Sequence, residues 1–526
     1  MKRQWFAAVR VGEERPAKPS MNRIDIVGRD LPGDIGPALL AGTVPLAAVS
    51  PVASGVASGV GPARAPEPLS THVTETLRLA GPISMGHLSY LAMTTATLIL
   101  FGWHSADALA AGGLAIRVAV STNILAGVLL VVGVAISEAQ GGGQGYRVAG
   151  LYWNGLYLAA GLSVVSFLWM SIAPSVLALL GQPPDVVADA KDVLDIMRWG
   201  EPANLIRLGL MRAVLPALGL ASILFALTPI SIALYVGLAL AMIGGHSGLP
   251  VFGWLGVPLA MVIVSWLVAF VMIAVVHLGR SRRLLPFARP PIGAMFSLLG
   301  RGVPIGVLQG VDGIFYLAVT LAIGQFGAAA LAAHQIVLNF GTVAYALAAS
   351  CGDAAALRIS FRRGARAFSD ARLAGIVAVV MGIGSMGVVA IVVALMPMTF
   401  IGIFIDVTAP ENAATIAIVL TLVPLSAVFI FTDGFYGTGM GALRGLNDNR
   451  FAMIAVVAAY WGVGLPLSYL LAWPAGLGAR GVWIGLVCGV AAVGAVLVGR
   501  YWVESGAVVR RHALLTTSYG ERAGPA

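Results

Sequence analysis

Apolar residues along this chain come in long unbroken runs separated by short polar gaps, with none of the alternation of a half-buried strand. From about residue 79 onward the runs approach 20 residues, the length a helix needs to cross a bilayer. Twelve spans are predicted, at about 79–102, 113–137, 148–172, 190–212, 217–242, 255–277, 303–325, 332–357, 373–397, 413–442, 451–473 and 482–503. The fold class is therefore an all-α polytopic membrane protein with twelve transmembrane helices. The fourth span is the least apolar, since it carries Lys191, Asp192, Asp195, Arg198, Glu201, Arg207 and Arg212.

A repeat organises the spans into two six-helix lobes. Pro82 of Gly81-Pro82-Ile83 returns as Pro304 of Val303-Pro304-Ile305, 222 positions later. Gly102 returns as Gly324, Ala108-Leu109-Ala110-Ala111 as Ala330-Leu331-Ala332-Ala333, and Pro202 as Pro424 at the same offset. Gly256-Val257 then pairs with Gly481-Val482 at an offset of 225. Six helices per half give both halves the same orientation. The symmetry axis then runs along the membrane normal, with the cavity between the lobes.

Composition and charge narrow the class. With 59% hydrophobic and 10% charged residues and a mean hydropathy of +0.91, polar side chains are too few to coat a water-facing surface. A soluble enzyme is excluded. The net charge of +9 does not point to nucleic acid, because the arginines sit in short loops. Arg147, the group Arg280, Arg282, Arg283, Arg289 and Arg301, the group Arg362, Arg363, Arg366 and Arg372, and the pair Arg444 and Arg450 fall on one side; Arg480 falls on the other. That asymmetry predicts both termini in the cytoplasm. The expected organisation is a flexible cytoplasmic extension over 1–75, an N-terminal lobe over 76–280, a basic linker over 281–302, a C-terminal lobe over 303–503 and a cytoplasmic tail over 504–526. Cys351 and Cys488 lie in apolar runs and read as packing residues. The glycine-rich stretch 141–145 lacks the Lys-Ser/Thr of a phosphate loop, so no nucleotide cofactor is expected and transport would draw on an ion gradient.

Ionised groups inside a span cost at least ~2.5–3.5 kcal/mol at the helix centre and need a reason. Asp312 lies roughly 14 Å into the seventh span and Asp433 roughly 15 Å into the tenth, at 1.5 Å per residue. Tyr345 of the eighth span reaches a comparable depth. Two carboxylates and a phenol suit a dehydrated Na⁺, which seeks oxygen ligands, or a proton, which relieves the repulsion between two acids taken out of water. Structural hydrogen bonding in a packed bundle is the competing reading. Glu201 is expected to pair with Arg198 three residues before it, and Asp353 to reach toward Arg358 or the basic loop. His334 reads as a structural hydrogen-bonding residue.

Several stretches match one known family. LRLAGPISMGHLSYLAM, ADALAAGGLA, ISEAQGGGQ and LLGQPPDVVADA with WGEP in the first half, and LAAHQIVLNF, GALRGLNDNR, YWGVGLPLSYLLAW and GLGARGVWIGL in the second, resemble the multidrug and toxic-compound extrusion (MATE) transporters, most of all the NorM-type branch. The resemblance runs from about Leu77 to Trp502. It implies two six-helix lobes that rock between outward- and inward-open states, exporting amphipathic or cationic compounds in exchange for Na⁺ or H⁺. It places the seventh-helix acid at Asp312, where many members have glutamate, the tenth-helix acid at Asp433 and the eighth-helix tyrosine at Tyr345. Phe429 falls where some members have tyrosine, keeping a π-face for a cation. The first-helix aspartate of many members falls on Thr97, and the paired asparagines of the fifth helix fall near Ile230 and Leu234. Ala348 stands at the eighth-helix proline, with Asp353 an unusual acid beside it.

The expected function is thus a cation-coupled antiporter for drugs or toxic metabolites in a bacterial-type inner membrane. Asp312, Asp433 and Tyr345 would bind the coupling ion, with Asp312 and Asp433 as the metal ligands if that ion is Na⁺. Phe315, Tyr316, Phe429, Phe435, Glu201 and Thr97 are candidates for the substrate cleft. Expected partners are small molecules and the lipid bilayer, with no nucleic acid, the protein acting as a monomer. The alternative is a lipid-linked glycan flippase or a narrow-specificity metabolite exporter of the same superfamily. No loop is long enough to hold a catalytic domain.

Overall fold

The apolar runs form helices because a backbone in lipid must satisfy its own hydrogen bonds. The computed structural model describes residues 67–522 apart from 180, 182, 246–249, 280–284 and 288–291. The extension expected at 1–75 lies outside the described residues up to position 66, and the basic linker does so over 281–284 and 288–291. Among the described residues there is no strand.

The spanning helices are numbered in chain order. The first half comprises α1 (Leu69–His104), α2 (Ala106–Ser121 continued by Asn123–Gly141), α3 (Gly145–Leu179), α4, α5 (Ala221–Gly244) and α6 (Gly256–Leu278). The second comprises α7 (Ile292–Gly324), α8 (Ala328–Gly364), α9 (Phe368–Leu395), α10 (Ala413–Leu446), α11 and α12 (Gly478–Arg522). Two of the twelve are irregular. In α4, Pro184–Met197 is followed by a turn, Glu201–Asn204, a π-helical segment Leu205–Met211 and Arg212–Ala217. In α11, Asn449–Ala459 passes through a π-helical segment Tyr460–Gly464 into Leu465–Ala472. Such segments are rare and concentrate at functional sites.

Among the described residues eleven helices are long and apolar enough to cross a membrane; α4, with its charges and breaks, is the twelfth. Helix ends run past the apolar spans because polar residues near the interface continue the hydrogen-bond ladder. Thus α1 starts at Leu69, α7 starts at Ile292 and α12 continues to Arg522, beyond the sequence-based limits at 75, 302 and 503. Ile263, Leu267 and Phe270 of α6 and Val388 and Ile391 of α9 turn outward, as a lipid-facing surface requires.

Two cores fill the interior, one built mainly from Met93 to Leu299 and the other from Leu308 to Tyr501. Each lobe therefore has its own packing. The lobes meet on one side. Gly302 and Gly306 of α7 lie so close to α2 that an added Cβ would stand 2.3 Å from Val128 O and 2.5 Å from Ile124 O. At the ends of α2 and α8, a Cβ on Gly364 would stand 2.0 Å from Glu138 O. Ser137 also donates to Leu357 O at 2.8 Å. By contrast, the Ala106–Ser121 half of α2 packs on α1 and α4 of its own lobe. The interlobe seal therefore lies toward the face where α1 begins and α12 leaves.

Candidate functional site

Asp312 on α7 and Asp433 on α10 come together inside the second lobe. Asp433 is buried, and its carboxylate senses the charge of Asp312. Tyr436 follows Asp433 by three residues, about one helical turn, and its hydroxyl donates to Asp312 Oδ2. Asp312 Oδ1 and Asp433 Oδ1 are both closed off from solvent without a hydrogen-bond donor among the described residues. A buried carboxylate oxygen left without a partner is costly. The pair therefore offers two open acceptor positions, which a proton or an oxygen-seeking cation satisfies.

Aromatic rings enclose this pair. Tyr316, Tyr345 and Tyr460 lie within electrostatic reach of both carboxylates. Tyr345 stacks on Tyr436 with centroids 6.2 Å apart, and Tyr316 meets Phe429 edge-on at 6.4 Å. Phe429 in turn packs against Trp483 at 5.8 Å. Phenol oxygens and π-faces both favour positive charge.

Two of the candidate cleft residues are placed differently. Phe315 is fully buried and stacks on Tyr460 at 4.1 Å, so it is a core ring behind the site. Phe435 turns away from Asp433, toward Phe431 at 5.4 Å and the close approach of Gly494 on α12. Successive helix positions point about 100° apart, so residues 433 and 436 share a face that 435 leaves. His334 shares a hydrogen bond with Thr320 Oγ1 at 3.0 Å and lies against Trp483.

In the first lobe, Glu201 and Thr97 line one cleft with Thr122, Asn204 and Arg207. Glu201 does not pair with Arg198. Residues 198–200 form a turn, which breaks the helical spacing that pairing would need, and Arg198 binds Asp195 at 2.8 Å instead. The Glu201 carboxylate is held by neutral donors: Thr122 Oγ1 at 2.7 Å, Ser166 Oγ at 2.7 Å and Asn204 Nδ2 at 3.3 Å. The Asn204 oxygen then accepts from Arg207 at 3.3 Å, a relay along the inner face of the irregular helix. Thr97 shares a hydrogen bond with Tyr235 at 2.6 Å. Ile230 and Leu234 are exposed on α5 and take no part.

Asp353 also departs from expectation. Arg358 turns to His72 O at 2.8 Å and Thr76 at 2.6 Å on α1. Asp353 takes Arg212 and Arg444 instead.

The comparisons with known proteins agree with this architecture. The MatE family model matches residues 82–243 and 304–470, one match in each lobe. The chain belongs to the MatE family. The multidrug resistance protein NorM of Burkholderia vietnamiensis is 37% identical over 449 residues, covering 85% of this chain and 97% of that protein. A probable multidrug resistance protein NorM of Pseudomonas aeruginosa is 32% identical over 420 residues, covering 79% and 86%. Among solved structures, the Vibrio cholerae MATE transporter VcmN in its bent form aligns with TM-score 0.71 at 18% identity, covering 85% and 99%. A MOP superfamily transporter from Pyrococcus furiosus aligns with TM-score 0.75 at 17% identity, covering 83% and 96%. The protein is thus a multi-pass MATE transporter.

Sequence reasoning missed Tyr436 and Tyr460 as members of this MATE protein's acidic site. The three-residue spacing from Asp433 was a readable signal for Tyr436. Tyr460 has no such local signal, since it reaches the carboxylates from α11. Around Glu201, Asn204 stands at the same readable three-residue spacing, whereas Thr122 and Ser166 come from other helices and are invisible in a linear reading.

Proposed function

We propose that this transporter exports small amphipathic or cationic compounds, drugs or toxic metabolites, in exchange for Na⁺ or H⁺. It would work as a monomer in an inner membrane with both termini in the cytoplasm. The observation that carries the reading is the Asp312–Asp433 pair, with two unpartnered oxygens inside a ring of tyrosines. An acid pair kept at membrane depth with no protein cation beside it among the described residues is explained by a mobile positive species that visits it. The NorM names of its relatives support multidrug efflux, and the one-sided loop arginines support the orientation.

In this mechanism the coupling ion binds Asp312 and Asp433, and Tyr436 holds the Asp312 carboxylate in place. Tyr345, Tyr316 and Phe429 present the oxygens and π-faces that a cation needs. Ion and drug stabilise opposite states of a two-lobe machine, so the entry of one drives the release of the other. The Glu201–Thr97 cleft of the first lobe contributes a second polar surface for substrate.

Reconstituted vesicles with an imposed Na⁺ or pH gradient test this reading. Export of a cationic dye is expected to follow one gradient and to fall to background in Asp312→Asn and Asp433→Asn. Normal export by both variants under either gradient would overturn the coupling site. Protection against no compound in a drug panel would favour the narrow-specificity exporter.

A further inference from the structure

We propose that Asp353 is a positioning residue for transport: it grips the first lobe across the interlobe seam and holds the cytoplasmic side shut. This inference rests on the alternating-access reading above, and goes beyond it by naming the contact that must open.

Asp353 sits on α8 of the second lobe, with its side chain 14% exposed. Its Oδ2 accepts from Arg212 Nη2 of α4, in the first lobe, at 2.9 Å. His87 of α1, also in the first lobe, approaches Oδ2 at 3.3 Å and Arg212 Nη2 at 2.7 Å. The shorter contact has His87 Nε2 accepting from the guanidinium, so the same nitrogen does not also donate to Asp353. On the other side, Asp353 Oδ1 accepts from Arg444 Nη1 of α10, within its own lobe, at 2.7 Å. One carboxylate thus divides its two oxygens between the two lobes.

That division makes the contact reversible. Breaking a buried ion pair by stripping a charge of all partners is strongly destabilising. When the lobes part here, neither half is stripped. Asp353 keeps Arg444, and Arg212 keeps His87. The cluster lies on the same helix as the sealed end, about 16 Å along α8 from Gly364, where α2 and α8 meet backbone to backbone. An inward-open state must separate these helices, so the Asp353–Arg212 contact must break in each cycle.

The native Cys351 offers a reporter. It is buried at the seam, two residues before Asp353, against Ala80 of α1 in the other lobe. In inside-out vesicles of a Cys488→Ser background, labelling of Cys351 by a charged, membrane-impermeant maleimide reads cytoplasmic opening without drug or gradient. Loss of antiport in the Asp312 and Asp433 tests would therefore leave this readout standing, and the reverse also holds. Asp353→Asn and Arg212→Gln are each expected to raise the labelling rate about tenfold, with the double variant no faster than either single one. Asp353→Glu should restore the slow rate. Both Asp353→Asn and the Arg212→Gln variant should lower KM for a cytoplasmic dye while lowering Vmax. Asp448→Asn, which breaks the Asp448–Arg500 pair of the second lobe, should leave labelling unchanged. Unaltered labelling in both Asp353→Asn and Arg212→Gln would overturn the proposal, as would an equal rise in Asp448→Asn.

Discussion

Tyr436 donates its phenolic hydrogen to Asp312 while standing one turn along α10 from Asp433. The phenol thereby ties α10 to α7 through one of the two acids and leaves Oδ1 of each without a donor among the described residues. A single residue anchors one acid and supplies part of the pair's enclosure.

Tyr436→Phe keeps the ring and its stack on Tyr345 but removes this donor. A hydrogen bond to a charged group is worth about 1.5–3 kcal/mol and stabilises the empty, ionised carboxylate, so without it the site should hold its coupling ion roughly ten- to a hundredfold more tightly. Export measured against ion concentration should show the midpoint move, with detergent melting temperature nearly unchanged.

Phe315→Ala separates packing from function. The ring is fully buried against Tyr460, and removing such a ring costs about 3–5 kcal/mol. Melting should drop sharply, while the surviving protein keeps the wild-type ion dependence. A selective loss of ion dependence without destabilisation would return Phe315 to the site.

Glu201→Leu should be destabilising by about 1–3 kcal/mol or more, because buried donors lose their acceptor. Ser166 and Asn204 would be left facing an apolar side chain, while Thr122 can fall back on Ala119 O at 2.7 Å. Thr122→Val and Ser166→Ala, which each take one donor from Glu201 Oε2, are both expected to cost less than Glu201→Leu. Thermal unfolding of purified variants checks the order.

Gly364→Ala tests the seal itself. Its Cβ would stand 2.0 Å from Glu138 O, a contact backbone cannot absorb without α2 and α8 moving apart. Cys351 labelling should accelerate, as in Asp353→Asn, and export should slow. A wild-type labelling rate in this variant would mean the seal tolerates a methyl group.

The acids at Asp312 and Asp433 were legible because lipid depth makes every charge conspicuous, and helical rise places each along its span. Their tyrosine ring was legible only in part: Tyr345 and Tyr316 belong to the same helices as readable landmarks, whereas Tyr460 arrives from a separate helix. Glu201 and Asp353 were assigned partners by nearness along the chain. Each proved to be bound mainly by residues from other helices, since a turn at 198–200 removes Arg198 from Glu201 and the interlobe seam supplies Arg212 to Asp353.

The sequence by itself determined the helical class, the two-lobe repeat and the depth of the acids, because the bilayer fixes span length and penalises every buried charge. Tertiary structure decided which charges meet. Side chains from α1, α4 and α10 converge on Asp353, and from α2 and α3 on Glu201, only after the helices pack. Helix rotation and crossing set those encounters, and no one-dimensional pattern encodes them.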